Sequence, residues 1–330
     1  MRNTDNIRAM RRQLLLAGAA APVLGMIPRS LWAAPLFESL YMFIPAAPGG
    51  GWDGTGRAIE QVIRAAGLVG TVQFENVGGA GGMVGLPKFV NQQKGKSNAV
   101  MVGGSVMVGA GIANKSPVTI KDVVPLVRLT EEASVIAVPA NSPYKTWQDL
   151  AAALKANPKA VSVAGGSAGG TDHLLLGMIL RSLGASAKNA AYVAYAGGGA
   201  AVASIIGGQV QAGISGYSEF AEQIKGGRMR ALAVSGNKRI PGVDVPTLQE
   251  LGTNVTAANW RGLFGAPGIN AQQKQALIDV FTKMHDTQAW KDLLDQRKWV
   301  DVFLAGDAFT KEVVADVSET ETVMKELGLA

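Results

Sequence analysis

Along the chain, short apolar runs alternate with longer stretches in which apolar residues recur every three or four positions. Residues 40–44, 71–75, 99–102, 124–129, 134–138, 161–164, 192–195, 210–215 and 230–234 read as strands bounded by glycine, proline or polar residues. Between them, Ala58, Ile59, Val62 and Ile63 form one stripe of a helix closed by Gly67, and 83–92 and 172–183 carry helical patterns. Thr146 and Asp149 are spaced as a capping box for a helix over 147–155, which Pro158 stops. From residue 271 to the C-terminus the pattern is mostly helical. Strands alternating with helices predict an α/β fold with largely parallel sheets. Residues 139–143 and 260–267 read as extended connections bounded by proline. As crossings, they divide the chain into a domain of 35–140 plus 262–330 and a domain of 141–261, the layout of a hinged protein.

Residues 1–34 follow a different rule. Arg2, Arg8, Arg11, Arg12 and Arg29 face one acid, Asp5, and an uncharged stretch over 14–26 leads to Ala33 and Ala34. This is the order of a secretory signal peptide. Arg11-Arg12 followed by Gln13 and Leu14 also resembles a twin-arginine signal, and both export routes stay open. The apolar stretch is shorter than the roughly 20 residues a membrane span needs. Residues 99–112 are uncharged, but Gly103, Gly104, Gly109 and Gly111 argue against one continuous helix there. A lipid anchor would need a cysteine, and the sequence has none.

The formal net charge is +6, of which +4 sits in the first 34 residues, so the remainder is close to neutral. No basic stripe is concentrated enough for a nucleic-acid partner. With no cysteine and only His173 and His285, neither a zinc site nor a thiol nucleophile is expected, and no metal or cofactor is called for.

Glycine carries the strongest signal. Clusters at 49–51, 78–82, 103–104, 165–170 and 197–199 sit just past strands and just before helices. In open α/β sheets that is where ligands bind, and exposed amides at helix N-termini favour an anion. The anion is not a nucleotide by any standard pattern. The phosphate-loop spacing fails at Asn114, and the dinucleotide pattern starting at Gly79 fails at Val84. Gly165, Gly166, Ser167, Ala168 and Gly169 do satisfy G-x-S-x-G between a strand and a helix. A serine hydrolase using Ser167, with His285 and Asp244 or Asp279, is therefore a rival reading. Against it, His285 reads as the solvated face of a helix.

Several ordered segments carry a family resemblance. They are Pro45-Ala46-Ala47-Pro48-Gly49-Gly50-Gly51-Trp52-Asp53, then Glu75-Asn76-Val77-Gly78-Gly79-Ala80-Gly81-Gly82, then Gly165-Gly166-Ser167-Ala168-Gly169-Gly170-Thr171-Asp172-His173. Tyr195-Ala196-Gly197-Gly198-Gly199, Gly207-Gly208-Gln209-Val210, Arg230-Ala231-Leu232-Ala233-Val234, Val245-Pro246-Thr247 and Asn259-Trp260-Arg261-Gly262 follow in order. Together they resemble the substrate-binding proteins of tripartite tricarboxylate transporters, also called Bug receptors, over nearly all of residues 35–330. The resemblance implies a type II-like periplasmic binding fold of two α/β domains joined by crossing strands. It also implies an exported, periplasmic monomer without enzymatic activity, which captures a small carboxylate (citrate, a dicarboxylate or an aromatic acid) for the transporter's membrane subunits. A ligand sensor for a membrane receptor is the third reading.

By the same resemblance one ligand carboxylate lies near Ala47, Pro48, Gly49, Gly50, Gly51, Trp52 and Asp53. Ser167, Ala168, Gly169 and Thr171, with Tyr195, Ala196, Gly197 and Gly198, face it from the other domain. Many relatives have lysine at the position of Ala196 and aspartate at that of Gln211, so a second charged clamp is not carried over. From the residues themselves, Ser105, Ser167 and Thr171 are short donors suited to a carboxylate or to helix caps, and Ser215, Tyr217 and Glu219 follow a strand into the cleft. Trp52 either closes over the ligand or packs between domains. Asp53 is expected to cap the following helix, with a bond to a ligand hydroxyl or amine as the alternative. His173 either touches the site or makes a structural hydrogen bond, and Arg261 attracts the anion or pairs with an acid at the hinge.

Overall fold

The computed structural model describes residues 36–330, so the signal-peptide reading of 1–34 lies outside the described residues. Ten strands join in one continuous, mixed sheet among the described residues. β1 (Phe37–Ile44), β2 (Val69–Asn76) and β3 (Ala99–Gly104) pair in parallel, with β1 in the middle. β4 (Val124–Pro139) runs antiparallel to β9 (Ala258–Gly265), which in turn pairs with β3. β5 (Ser162–Gly165) is flanked in parallel by β6 (Ala191–Ala194) and β7 (Ala212–Gly216). β7, β8 (Met229–Val234) and β10 (Val300–Ala305) each pair antiparallel with β4.

Three expectations change. The runs at 124–129 and 134–138 are one 16-residue strand, β4. The polar break between them is not a turn: Thr130 and Glu132 are buried inside the strand. The C-terminal segment contains β10 between helices, because Val300 and its successors cover β4. The sheet is mixed rather than largely parallel, because β4 and β9 run against their neighbours.

β4 is what unites the sheet. Ala133 still pairs with Ala258 of β9, whereas Ser134 already pairs with Gly216 of β7. The strand therefore passes from one set of neighbours to the other between adjacent residues, short of the expected 139–143 connection. The hydrophobic clusters respect the same point. One joins side chains from 40–129 with those of 260–313, and two smaller ones lie within 135–255.

Parallel strands need crossover helices. α1 (Gly51–Ala65) follows β1, and α2 (Gly85–Gln92) follows β2. α3 (Ser105–Ala113) follows β3, and α4 (Trp147–Ala156) follows β4 and starts at the expected Thr146–Asp149 capping box. α5 (Thr171–Ser182), α6 (Gly198–Ile206) and α7 (Tyr217–Lys225) follow β5, β6 and β7, while α8 (Ala271–His285), α9 (Gln288–Arg297) and α10 (Gly306–Leu327) complete the chain. Among the described residues no helix is long and apolar enough to cross a membrane.

Candidate functional site

Five helices bring their first turns to one cavity. It has an empty volume of about 630 Å³ including its open mouth. Its lining includes Gly50 before α1, Gly51 and Trp52 of α1, Val106 of α3, Thr171 and Asp172 of α5, Gly197 before α6, and Gly216 and Glu219 at α7. In each case the residue before the first turn is a glycine (Gly50, Gly104, Gly170, Gly197 or Gly216), which has no side chain to cap the helix, and of the first-turn amides that of Ser218 in α7 is taken by Glu132. Of the helices away from the cavity, α4, α8 and α9 are capped by Thr146, Asn270 and Thr287, whereas α2 and α10 start without a side-chain cap and without glycine at the N-cap. The first amides of an uncapped helix are unsatisfied donors at the positive end of its dipole. The glycine clusters thus serve access to backbone N–H groups. At Gly197, φ is +119°, a conformation that a side chain would strain, and it lies close against Gly50 across the cavity.

Beneath these termini lies a buried charge cluster. Arg261 on β9 and Glu132 on β4 are each about 1% exposed and meet at 2.6 Å, Nη2 to Oε2. Glu132 Oε1 also accepts from the Ser218 amide at 2.6 Å. Arg261 Nε and Nη1 have no partner, although the guanidinium lines the cavity. A Cβ on Gly51 would stand 2.9 Å from Arg261 Nη2, so glycine at the start of α1 is what admits the guanidinium. The Trp299 ring lies 5.4 Å from the guanidinium carbon.

Two further carboxyls face the same cavity. Glu219 Oε2 accepts from Ser215 Oγ at 2.5 Å, and its Oε1 has no partner. Burial, helped by the charge of Glu132, pushes the Glu219 carboxyl up against the pull of the Ser215 bond, Arg261 and the Gly51 amide at the start of α1. Asp172 Oδ2 accepts from the Gly166 amide at 2.9 Å, yet burial, helped by the charges of Glu219 and Glu132, pushes it up to about 7. Asn259 Oδ1 and Thr171 Oγ1 are buried without partners.

Of the residues expected at the site, Ala47, Gly50, Gly51, Trp52, Ser167, Thr171, Ala196, Gly197 and Ser215 line the cavity. Gly198 opens α6 beside it. Others are placed elsewhere, each for a visible reason. Pro48, Gly49 and Ala168 sit in exposed turns. Asp53 is not the cap of α1 but its third residue. It reaches back to accept from the Gly49 amide at 3.0 Å and holds Asn76 and Arg57. Burial raises its carboxyl, but the Gly49 amide, Asn76 and Arg57 outweigh this and leave it below the usual range. Ser105 Oγ accepts from the Trp260 amide, Tyr195 donates to Ser204, and Gly169 donates to His173 Nδ1 at 3.1 Å. Gln211 Oε1 accepts from the Ser162 amide on the outer face. Trp260 donates through Nε1 to Asp316.

Sequence reasoning missed Asp172, Asn259, Glu132 and the contributions of Pro45, Ala46, Gly79, Gly81, Gly82, Val106, Gly166 and Gly216. Asp172 and Asn259 both stand within segments that carried the resemblance. Glu132 had no signal, since Glu131-Glu132 reads as surface.

The hydrolase arrangement does not assemble. Ser167 lacks the left-handed backbone of a strained nucleophile elbow. His173 Nδ1 is engaged by Gly169, and its ring, kept neutral by burial, stacks on Tyr192. His285 is bonded to Asp301 and stacked on Phe303.

Comparison with known proteins points the same way. Residues 57–329 match the family described as tripartite tricarboxylate transporter family receptor. The protein BugT of Bordetella pertussis is 26% identical over 273 residues, 76% of this chain and 82% of that one. The UPF0065 protein in the gbd 5' region of Cupriavidus necator is 26% identical, with the match spanning 64% of either chain. Among solved structures, the periplasmic binding protein BugD superimposes with a TM-score of 0.78 at 23% identity, covering 88% of this chain and 98% of that one. MatC from Rhodopseudomonas palustris with bound malate gives 0.75 at 22% identity, covering 88% and 99%. The fold is that of the periplasmic binding proteins, and the chain belongs to the tripartite tricarboxylate transporter receptor family, whose members are solute-binding receptors and not enzymes.

Proposed function

We propose that this receptor captures a small carboxylate outside the inner membrane and delivers it to the membrane subunits of a tripartite transporter. The observation that carries the reading is the convergence of five glycine-started helices on one cavity with a buried arginine of which two guanidinium nitrogens have no partner. A carboxylate placed there receives charge-assisted bonds from backbone amides and Arg261 in a site largely shielded from water. The malate bound to MatC supports an acid of this size.

In this reading residues 36–133 with 258–330 form one lobe and 134–257 the other, and they close on the ligand by flexing β4 and the approach to β9. Export under the N-terminal signal, action as a monomer in the periplasm and presentation of the closed form to the transporter complete the proposal. A dissociation constant on the order of 1 μM, about −8 kcal/mol, is within reach of a few such bonds. Titration calorimetry of the protein lacking residues 1–34 against mono-, di- and tricarboxylates tests it. Saturable binding of one acid, lost in Arg261→Met, is expected. Heats that never saturate for any acid sink the reading.

A further inference from the structure

We infer that Asp172 and Glu219 meet the ligand as neutral acids, so that capture takes up a proton from solution. This rests on the carboxylate reading and gives that site its dependence on pH. Asp172 and Glu219 line the cavity, whereas Glu132 lies behind them in β4, outside the lining. Glu132 is matched by Arg261 at 2.6 Å and by the Ser218 amide. Neither Asp172 nor Glu219 makes an ion pair with lysine, arginine or histidine among the described residues. Arg261 of β9 and Glu132 of β4 act on both carboxyls, and Glu219 of α7 also acts on Asp172 of α5. Tyr192 of β6 donates to the Gly166 carbonyl and stacks on His173, which burial keeps neutral. With Asp172 and Glu219 both ionised, three carboxylates would face one guanidinium before any ligand arrives. An incoming carboxylate adds like charge, and protonating a carboxyl relieves it.

The geometry points to where the proton goes. Asp172 Oδ2 holds the Gly166 amide and Glu219 Oε2 holds Ser215 Oγ, while Glu219 Oε1 is buried without a partner. A Cβ on Gly50 would lie 4.0 Å from that Oε1, so the oxygen faces the start of α1. An O–H there is a donor beside the helix terminus that favours an anion. Ionised Glu219 also draws on the Gly51 amide, and neutral Glu219 gives that donor up to the ligand. Burial already pushes both carboxyls up, Asp172 to about 7, so the empty site is partly ionised at neutral pH. A group whose pKa is higher with ligand than without takes up a proton on binding. Affinity is then full below the pKa of the empty site and falls as pH rises past it.

Calorimetry with L-malate, succinate and adipate, all fully ionised at pH 7.5, tests this in phosphate and in Tris, whose ionisation enthalpies differ. For an acid that binds, the difference in heat should report uptake of about half a proton or more, and affinity should fall about tenfold from pH 6.5 to pH 8.5. Glu219→Gln and Asp172→Asn hold the neutral shape permanently. Each should reduce the uptake, flatten the pH profile and bind more tightly than the unchanged protein at pH 8.5, and either serves if the other does not fold. Saturable binding with equal heats in both buffers and no pH dependence would overturn the inference and leave carboxylate capture standing. Uptake undiminished in both folded variants would also overturn it, since the proton would then go elsewhere. Binding of none of the acids at any pH would remove the carboxylate reading and this inference with it.

Discussion

Arg261 holds two roles that a single substitution cannot separate. It neutralises Glu132 in the core and leaves Nε and Nη1 without partners beside the cavity that it lines. Removing one partner of a buried pair strands the other charge at a cost of about 3–5 kcal/mol, while removing both charges is often nearly neutral. Arg261→Met should therefore lose that much stability in urea unfolding, together with binding. Adding Glu132→Gln, which keeps an acceptor for the Ser218 amide, should restore most of the stability and none of the affinity. Recovery of both would place Arg261 outside the site. Asp172 gives the pH counterpart. Its carboxyl is raised from 3.8 to about 7 by burial against the Gly166 bond, with Glu219, Glu132 and Arg261 as its charged neighbours and Tyr192 beside it. The folded chain then keeps a proton that the unfolded chain has released, so stability falls as pH rises from about 4 to about 7 and levels off above. Glu219, also raised, acts with the same sign. Asp172→Asn should flatten this slope and raise the pH 8 melting temperature of the ligand-free protein by roughly 3 °C or more. A slope unchanged by the substitution would remove Asp172 as its source.

The helices around the cavity give up capping to keep amides free, and this exchange can be reversed at one position. Gly50 has φ −85° and ψ 178°, the extended geometry of an ordinary N-cap, and a Cβ there meets nothing closer than 3.8 Å. Gly50→Ser should cap α1 and add a few tenths of a kcal/mol of stability. By occupying an amide that the ligand needs, it should also lower affinity by about tenfold. Equal or higher affinity in calorimetry would show that the α1 amides are not used. The sequence made these elements legible because strand-end glycines before helical stripes have few other readings, and the Thr146–Asp149 box marked the start of α4 to the residue. It hid what depends on distant partners. Glu132 and Thr130 looked like a polar break because only Arg261, far along the chain, makes a charge tolerable inside β4. β10 looked helical because Val300 to Ala305 is half-exposed and its order comes from pairing with β4. Asp53 looked like a cap one turn early, since the Gly49 turn that it holds carries no apolar signature.

At the scale of the whole molecule, opening and closing would be governed by more than the two crossings through β4 and β9. The long helix α10 packs along β4 and α3, and its far end reaches α5, which belongs to the other proposed lobe. There Arg181 pairs with Glu326, and Leu327 and Leu329 lie against Gly177, where an added Cβ would stand 3.0 Å from Leu327. The exposed ion pair contributes little, whereas buried Leu327 removes apolar surface from water and ties the end of α10 to α5. Across the cavity the loops at Gly50 and Gly197 already approach one another, so this contact belongs to a nearly closed arrangement. A clasp present in the closed form and broken in the open one shifts the population toward closure, and apparent affinity scales with the closed fraction. Leu327→Ala with Leu329→Ala should weaken ligand binding by roughly two- to tenfold through that fraction, leaving every cavity residue intact. The ligand-free protein should also show a larger radius of gyration in solution scattering, which saturating ligand restores. If affinity falls without any change in the scattering of the free protein, the loss is local softening of α5. If neither changes, the tail of α10 is not a clasp, and closure rests on β4 and β9 alone.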